Sequence, residues 1–199
     1  MDIRVVGYAH PDAQRLIAEV QQEYVARYGS MDASPVDPAE FDAPQGQFAV
    51  GYDEDGSPVG TGAWRAREGT EAGLADGDAE LKRMYTVPSA RGRGQARGML
   101  RFLEQQAQQA GRRRMVLETG DKQPEALALY ASEGYLPIVK FGVYRDQPQS
   151  VCLAKPLPAA ASATVPATVP AAAAATVPAA ASAAAVPVGE ELSVASRTA

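Results

Sequence analysis

Residues 80–98 read Glu80-Leu-Lys-Arg-Met-Tyr-Thr-Val-Pro-Ser-Ala-Arg-Gly-Arg-Gly-Gln-Ala-Arg-Gly98, which predicts a strand, a short loop and then a helix. The helix would bury Ala96, Leu100, Leu103 and Ala107 on one face, so its first turn would be held against a sheet. The backbone N–H groups of that turn have no partner within the helix, and the helix dipole adds positive charge there. We therefore predict an anion site, with a pyrophosphate as its natural ligand.

The loop before this helix is rich in glycine and arginine. Gly92 and Gly94 would let the backbone approach an anion closely, because neither carries a Cβ atom. Arg91, Arg93 and Arg97 would add positive charge. A simpler interpretation stays open at this point, in which the loop only turns a corner and its arginines lie in solvent.

A dinucleotide-binding fold is another interpretation of the same loop. Gly92-x-Gly94 opens a helix, and Glu118 follows at about the distance expected for a ribose ligand. The third glycine, Gly98, is misplaced for that motif, and the strands before the loop suit an antiparallel sheet. This interpretation is therefore disfavoured.

The chain divides into a structured part, residues 1–157, and a low-complexity tail, residues 158–199. The structured part predicts the order β-α-β-β-β-α-β-α-β-β. Its strands cover residues 3–8, 47–52, 58–67, 79–87, 114–119, 135–139 and 150–155, and its helices begin near His10, Gly94 and Pro124, with one helical turn near Glu40. The tail is almost entirely Ala, Pro, Thr, Val and Ser, which predicts disorder.

Composition excludes several classes of function. The net charge of −5 argues against a nucleic-acid binder, which needs surplus Lys and Arg. One cysteine and one histidine cannot supply the roughly four nitrogen or sulfur ligands of a structural zinc site, so we expect no metal. A single cysteine suits the reducing cytoplasm, and we expect neither a signal peptide nor a membrane span.

Two segments resemble the GNAT acetyltransferase superfamily. Arg91-x-x-Gly94-x-Ala96 resembles its Arg/Gln-x-x-Gly-x-Gly/Ala signature. Residues 123–135, Gln-Pro-Glu-Ala-Leu-Ala-Leu-Tyr-Ala-Ser-Glu-Gly-Tyr, resemble its Asn-x-x-Ala-x-x-x-Tyr-x-x-x-Gly-Phe/Tyr block, with Gln123 at the position of the common Asn. The resemblance covers residues 3–157 and also matches the predicted order of elements.

The resemblance implies an α/β fold with a mixed, mostly antiparallel sheet whose fourth and fifth strands splay apart to admit coenzyme A. It implies acetyl-CoA as the co-substrate. The residues that it assigns to the coenzyme are Met84, Tyr85, Thr86, Arg91, Gly92, Arg93, Gly94, Gln95, Ala96, Arg97 and Gln123. Those at 84–86 would pair with the pantetheine, and those at 92–97 would hold the pyrophosphate.

The resemblance also implies catalytic roles for Tyr130, Glu80 and Glu118. Tyr130 matches the tyrosine that protonates or hydrogen-bonds the departing thiolate. Glu80 lies where some members carry a general base, and Glu118 is the second candidate for that role. A proton relay through water, with no single base, stays open as well.

The expected reaction is direct transfer of acetyl from acetyl-CoA to a primary amine, with a small molecule as acceptor. Transfer to a protein N-terminus or a lysine is an alternative, and so is a CoA-binding sensor without turnover. We expect the loop at residues 141–146 to face the acceptor. Dimers are common in the resembled family, and the oligomeric state stays open.

Overall fold

The computed structural model describes residues 1–69 and 71–159, which form one sheet with helices packed against it. The strands are β1 Asp2–Val6, β2 Gly46–Tyr52, β3 Pro58–Arg67, β4 Asp78–Thr86, β5 Arg114–Gly120, β6 Leu136–Pro137 and β7 Ser150–Pro156. The helices are α1 Pro11–Tyr28, α2 Gln95–Gln109 and α3 Pro124–Ser132, and short 3-10 turns cover Pro38–Phe41 and Pro88–Ala90. This order is the predicted one. The predicted tail lies outside the described residues, apart from Pro158 and Ala159.

The sheet is mixed and mostly antiparallel, as predicted. Its strands lie in the order β1-β2-β3-β4-β5-β7-β6. All neighbours are antiparallel except β4 and β5, which run in parallel and are joined by the crossover through α2. The sheet therefore has one parallel seam near its middle.

Helix α1 covers one face of the sheet. It begins at Pro11 because His10 Nδ1 accepts a hydrogen bond from the Asp12 N–H at 3.2 Å, and it ends at Gly29, whose φ is 84°. Its buried side chains are Ala13, Leu16, Ile17 and Val20, at helical spacing. The first three of them pack with Phe48 and other residues on the α1 face of β2 and β3.

Helix α2 covers the opposite face. Its buried apolar side chains are Met99, Leu100, Leu103 and Ala107, which pack with Trp64, Leu81 and Leu117. Ala96 was expected in this buried set but is only partly buried, because it lies in the first turn of the helix, beside a cavity. These contacts hold α2 against the sheet.

The parallel seam is short. Strands β4 and β5 pair only at Asp78–Arg114, Ala79–Met115 and Glu80–Val116. Both strands continue for several residues beyond that point, to Thr86 and Gly120, without pairing to each other. The strands therefore diverge, and a wedge-shaped gap opens between them.

A β-bulge in β4 accompanies this divergence. Thr61 and Ala63 of β3 are two residues apart, but their partners in β4, Tyr85 and Lys82, are three apart. The extra residue lies near Arg83, whose φ of 55° is in the left-handed region that side chains other than glycine rarely adopt. Bulges bend a strand and increase its twist, so this one redirects the end of β4.

An ion pair fixes the closed end of the seam. The Asp78 carboxylate, 1% exposed, accepts hydrogen bonds from Arg114 Nε at 2.8 Å and Nη2 at 2.6 Å. It also accepts one from the Ala75 N–H at 2.8 Å. These contacts tie the first residues of β4 and β5 together where pairing begins.

We expect Arg114→Met to destabilise the fold by about 3 kcal/mol, the lower end of the range for breaking a buried ion pair. The substitution would leave the buried Asp78 carboxylate with one backbone donor. Urea unfolding of the purified chain measures this loss. Arg4→Met is the control, since its pair with Asp2 is exposed and should contribute less than about 1 kcal/mol. Equal losses of unfolding free energy in the two variants would contradict the stabilising role given to the Asp78–Arg114 pair.

Candidate active site

A cavity of about 520 Å³ occupies the gap between β4 and β5. Its walls come from the second half of α1, the diverging strand ends, the start of α2 and the start of α3. Of the residues predicted to bind coenzyme, those lining it are Met84, Tyr85, Thr86, Arg91, Gly92, Gly94, Gln95, Ala96, Arg97 and Gln123. Glu118 and Tyr130 also line it, whereas Arg93 and Glu80 do not.

The glycine loop, residues 91–94, lines the cavity beside the start of α2. Gly92 and Gly94 have φ values of 75° and 77°, and a Cβ atom at either would meet nothing within 4 Å. Gly94 is the N-cap of α2 and no side chain caps that end. The N–H groups of the first helical turn therefore remain available to an anion.

The three loop arginines lie in different surroundings. Arg91 donates to the Thr86 carbonyl at 2.9 Å and to Glu23 of α1 at 2.5 Å. Arg97 pairs with Glu133 at 2.7 Å, and Arg93 is 63% exposed and 3.8 Å from Asp53. Each of the three arginines therefore has a carboxylate beside it, Arg93 lies outside the cavity wall, and their role toward an anion stays a prediction.

The end of β4 provides an unpaired backbone edge. On one side, Tyr85 and Thr86 pair with Thr61 and Gly60 of β3. On the other side, residues 81–86 have no strand partner among the described residues. Backbone donors and acceptors on that edge can bond a ligand that lies in the gap.

Two glutamines complete this part of the wall. The Gln95 side-chain oxygen is buried and has no hydrogen-bond partner among the described residues. Gln123 caps the start of α3, and its Nε2 donates to Tyr28 Oη at 3.3 Å.

Tyr130 lies deeper in the cavity, on α3. Its side chain is 6% exposed and packs against Tyr135, with ring centroids 5.5 Å apart. Burial raises the pKa of the Tyr130 phenol above its ordinary value. The hydroxyl therefore stays protonated across neutral and mildly alkaline pH and can act as a hydrogen-bond donor.

Glu118 lies on β5 just past the paired part of the seam. Burial raises the pKa of its carboxyl to about 7, against the opposing effects of a hydrogen bond from Ser150 and the charge of Lys82. Ser150 Oγ donates to Glu118 Oε1 at 3.1 Å. A carboxyl that titrates near neutral pH suits proton transfer in either direction.

Glu80 has the opposite environment. Burial would raise its pKa, but the charges of Lys82 and Arg65 outweigh burial and hold the pKa below its ordinary value. Arg65 Nε donates to Glu80 Oε2 at 2.8 Å, and Arg67 and Lys82 lie 3.5 Å and 3.4 Å away. An ion-paired carboxylate is a weak base, so Glu118 is better suited than Glu80 to accept a proton.

A second cavity of about 340 Å³ adjoins the first. It is lined by the end of β3, by the first half of β4 and by the loop after α1. Phe141, Gly142, Val143 and Arg145 complete its wall. Glu80, Lys82 and Glu118 also line it, and the last two line the first cavity as well. The loop that was expected on the acceptor side therefore borders a cavity that meets the first one at Lys82 and Glu118.

Three charged residues of the site, Asp32, Arg83 and Lys82, were not predicted from the sequence as site residues. Asp32 Oδ2 accepts a hydrogen bond from Arg83 Nη1 at 2.6 Å, and Asp32 Oδ1 accepts one from Tyr144 at 3.2 Å. Burial opposes ionisation of Asp32, but hydrogen bonds from Ser34 and the charges of Lys82 and Arg83 hold its pKa low. Lys82 could have been found, because it follows Glu80 by two residues in a strand and so shares its face.

Within residues 1–69 and 71–159, no group of three or more His, Cys, Asp or Glu side chains is placed to hold a metal ion. None of the helices in the same residues has the length and apolar character needed to cross a membrane.

Comparison with known proteins gives a consistent family. Residues 15–135 match the model of the acetyltransferase (GNAT) family. The chain is 38% identical over 102 residues to an IAA acetyltransferase of Azospirillum brasilense. That alignment covers 51% of this chain and 63% of the relative, which is less than two thirds of the relative's length.

Solved structures show the same fold. A Klebsiella pneumoniae protein provisionally named as an acyl-CoA N-acyltransferase is 30% identical, with a TM-score of 0.62 over 78% of this chain and 97% of that one. A phosphinothricin acetyltransferase from Sinorhizobium meliloti in complex with AcCoA is 19% identical, with a TM-score of 0.58 over 78% and 88% of the two chains. The family match includes the glycine loop, the diverging seam and the α3 block, and the chain belongs to the acetyltransferase (GNAT) family.

Proposed function

We propose that residues 1–157 transfer the acetyl group of acetyl-CoA directly to the primary amine of a small molecule. The observation that carries the proposal is that one cavity is lined by the glycine loop, by a carboxyl whose pKa is about 7 and by a buried phenol. These groups suit, in turn, an anionic co-substrate, removal of a proton from an amine and stabilisation of a leaving thiolate.

Several features of the cavity fit acetyl-CoA, whose thioester supplies the acetyl group. The uncapped first turn of α2 and the open space around Gly92 and Gly94 suit the pyrophosphate. The unpaired edge of β4 at Met84–Thr86 suits the amide groups of the pantetheine arm.

Glu118 is the proposed proton acceptor. A primary amine has a pKa near ~10 in water, so it arrives as an ammonium ion and must lose a proton before it can attack. Glu118 is the better acceptor because Glu80 is already neutralised by three cations. Ser150 engages Oε1 of Glu118, and no described residue bonds the other oxygen, which is therefore available.

Tyr130 is the proposed donor to the leaving group. In the transfer the amine nitrogen forms a bond to the acetyl carbon, the C–S bond breaks and its electron pair stays on sulfur. The Tyr130 hydroxyl donates a hydrogen bond to the developing thiolate. Of the two protons then left on nitrogen, one passes to the sulfur and the other stays as the amide N–H, so the products are an amide and a thiol.

The choice of a small molecule as acceptor depends on the second cavity. Its volume of about 340 Å³ is within the range of small-molecule sites. Glu118, where the amine must arrive, lines this cavity as well as the first one. Acetylation of a protein N-terminus or of a lysine is the competing outcome of an acceptor screen.

Gly94→Trp should abolish acetyl-CoA binding, because the indole would fill the space in front of the α2 N-terminus. Calorimetry with acetyl-CoA measures the affinity. Gly56→Trp is the matched control, since Gly56 also has a positive φ and open surroundings but lines neither cavity. Failure of the unmodified chain to bind acetyl-CoA would contradict the proposed function itself.

Tyr130→Phe should lower kcat by about 100-fold, the effect of removing one hydrogen-bond donor to transition-state charge. The affinity for acetyl-CoA should be unchanged, since the phenol acts on the leaving sulfur. Release of CoA thiol measures kcat. Tyr24→Phe is the control, because Tyr24 lines the same cavity from α1 and its pKa is also raised by burial. A chain that binds acetyl-CoA but releases no CoA with any amine would be a sensor.

Activity should depend on the ionisation of Glu118. Because the base must be deprotonated, kcat/KM should fall about tenfold per pH unit below pH 7 and level off above it. Glu118→Gln should remove this bend. Ser150→Ala should move it to higher pH, because the Ser150 hydrogen bond lowers the pKa of Glu118. A bend unchanged in both variants would assign the titration to another group.

A further inference from the structure

Two side chains lie where the two cavities meet. Lys82 of β4 and Glu118 of β5 line both of them. They follow Glu80 and Val116, the last paired residues of the seam, by two positions each, and so extend the same face of the sheet. An acceptor that reaches Glu118 from the second cavity therefore also reaches Lys82.

The lining of the second cavity is mostly ionisable. Its cations are Arg65, Arg67, Lys82 and Arg145, and its carboxylates are Asp37, Glu40, Glu71, Glu80 and Glu118. A cavity with such walls suits a polar, charged molecule and disfavours an apolar amine, which could not solvate these groups. The acceptor should therefore carry charge beyond its amino group.

The arginines of this cavity already have partners. Arg65 donates to Glu80 at 2.8 Å and to Glu40 at 2.6 Å. Arg67 lies 3.3 Å from Glu71, which Arg145 also approaches at 3.4 Å. Their charges are therefore balanced within the wall.

Lys82 differs from these arginines. Its side chain is 10% exposed, and its ammonium lies 3.4 Å from Glu80 Oε1. It donates no hydrogen bond to any described residue, and Arg65 is closer to Glu80 than Lys82 is. An ammonium has three donors, and the ion pair with Glu80 leaves at least two of them without an acceptor among the described residues.

We propose that Lys82 binds a carboxylate of the acceptor, so that the acceptor is an amino acid or a similarly small amino carboxylate. This inference rests on the proposed function and names its substrate class. The carboxylate would accept from the donors of Lys82 that Glu80 leaves unused, while the neighbouring amino group lies at Glu118. The positive charge of Lys82 would also lower the pKa of that amine, which favours the neutral form needed for attack.

The test compares acids with their neutral counterparts. The full chain is assayed with acetyl-CoA and the common α-amino acids, β-alanine and 4-aminobutyrate, each beside the amide in which the carboxylate is a carboxamide. At least one acid should have a kcat/KM about tenfold or more above its amide, the effect of one charged hydrogen bond. Removing the charge of Lys82 also raises the pKa of Glu118, so acid and amide are compared well above pH 7, where Glu118 is deprotonated in every variant. There Lys82→Met should reduce this ratio to near one, and Lys82→Arg should retain it.

Two outcomes would overturn the inference while leaving the proposed function intact. In one, the chain acetylates amines but no acid is preferred over its amide. In the other, Lys82→Met slows acid and amide equally although it melts like the unmodified chain. Absence of turnover with every amine, despite tight acetyl-CoA binding, would overturn the proposed function and this inference together.

Discussion

The divergence of β4 from β5 is the constraint on which the rest of the site depends. The strands pair at only three positions, and the backbone of residues 81–86 then faces a gap on one side. Backbone N–H and C=O groups must be satisfied by protein, water or ligand. The gap therefore converts part of a β-sheet into a binding surface, with the α2 N-terminus at its wide end and Glu118 near its narrow end.

The divergence is maintained by contacts at both ends of the seam. At the closed end, Asp78 and Arg114 hold the strands together. At the open end, the bulge at Arg83 adds a residue to β4, and the Arg83 side chain is held by Asp32 at 2.6 Å. A left-handed conformation outside glycine costs about 1–2 kcal/mol, so tertiary contacts of this kind are needed to retain it.

The sequence was sufficient for the elements and for the part of the site that is local in the chain. Strand β4, the loop and α2 were predicted within one residue, because strand periodicity, glycines and helix periodicity are local signals. Strand β6 is shorter than predicted, although the Ile138 N–H still donates to the Cys152 carbonyl of β7 at 3.0 Å. Asp32 could not be predicted, because it reaches Arg83 from an irregular loop 51 residues away.

The sequence alone could not decide whether Glu80 or Glu118 is the better proton acceptor, and part of the reason lies in strand register. Glu80 and Glu118 lie on neighbouring strands, yet their pKa values are shifted in opposite directions. The charges of Lys82 and of Arg65, which β3 places directly opposite Glu80, hold the pKa of Glu80 low. On the other strand, β7 places Cys152 opposite Glu118, and among the described residues the hydroxyl of Ser150 donates the one hydrogen bond to its side chain. A shift of β3 by one residue would move Arg65 to the other face of the sheet. The register of β3 therefore helps to keep Glu80 ionised, whereas burial is the main cause that raises the pKa of Glu118.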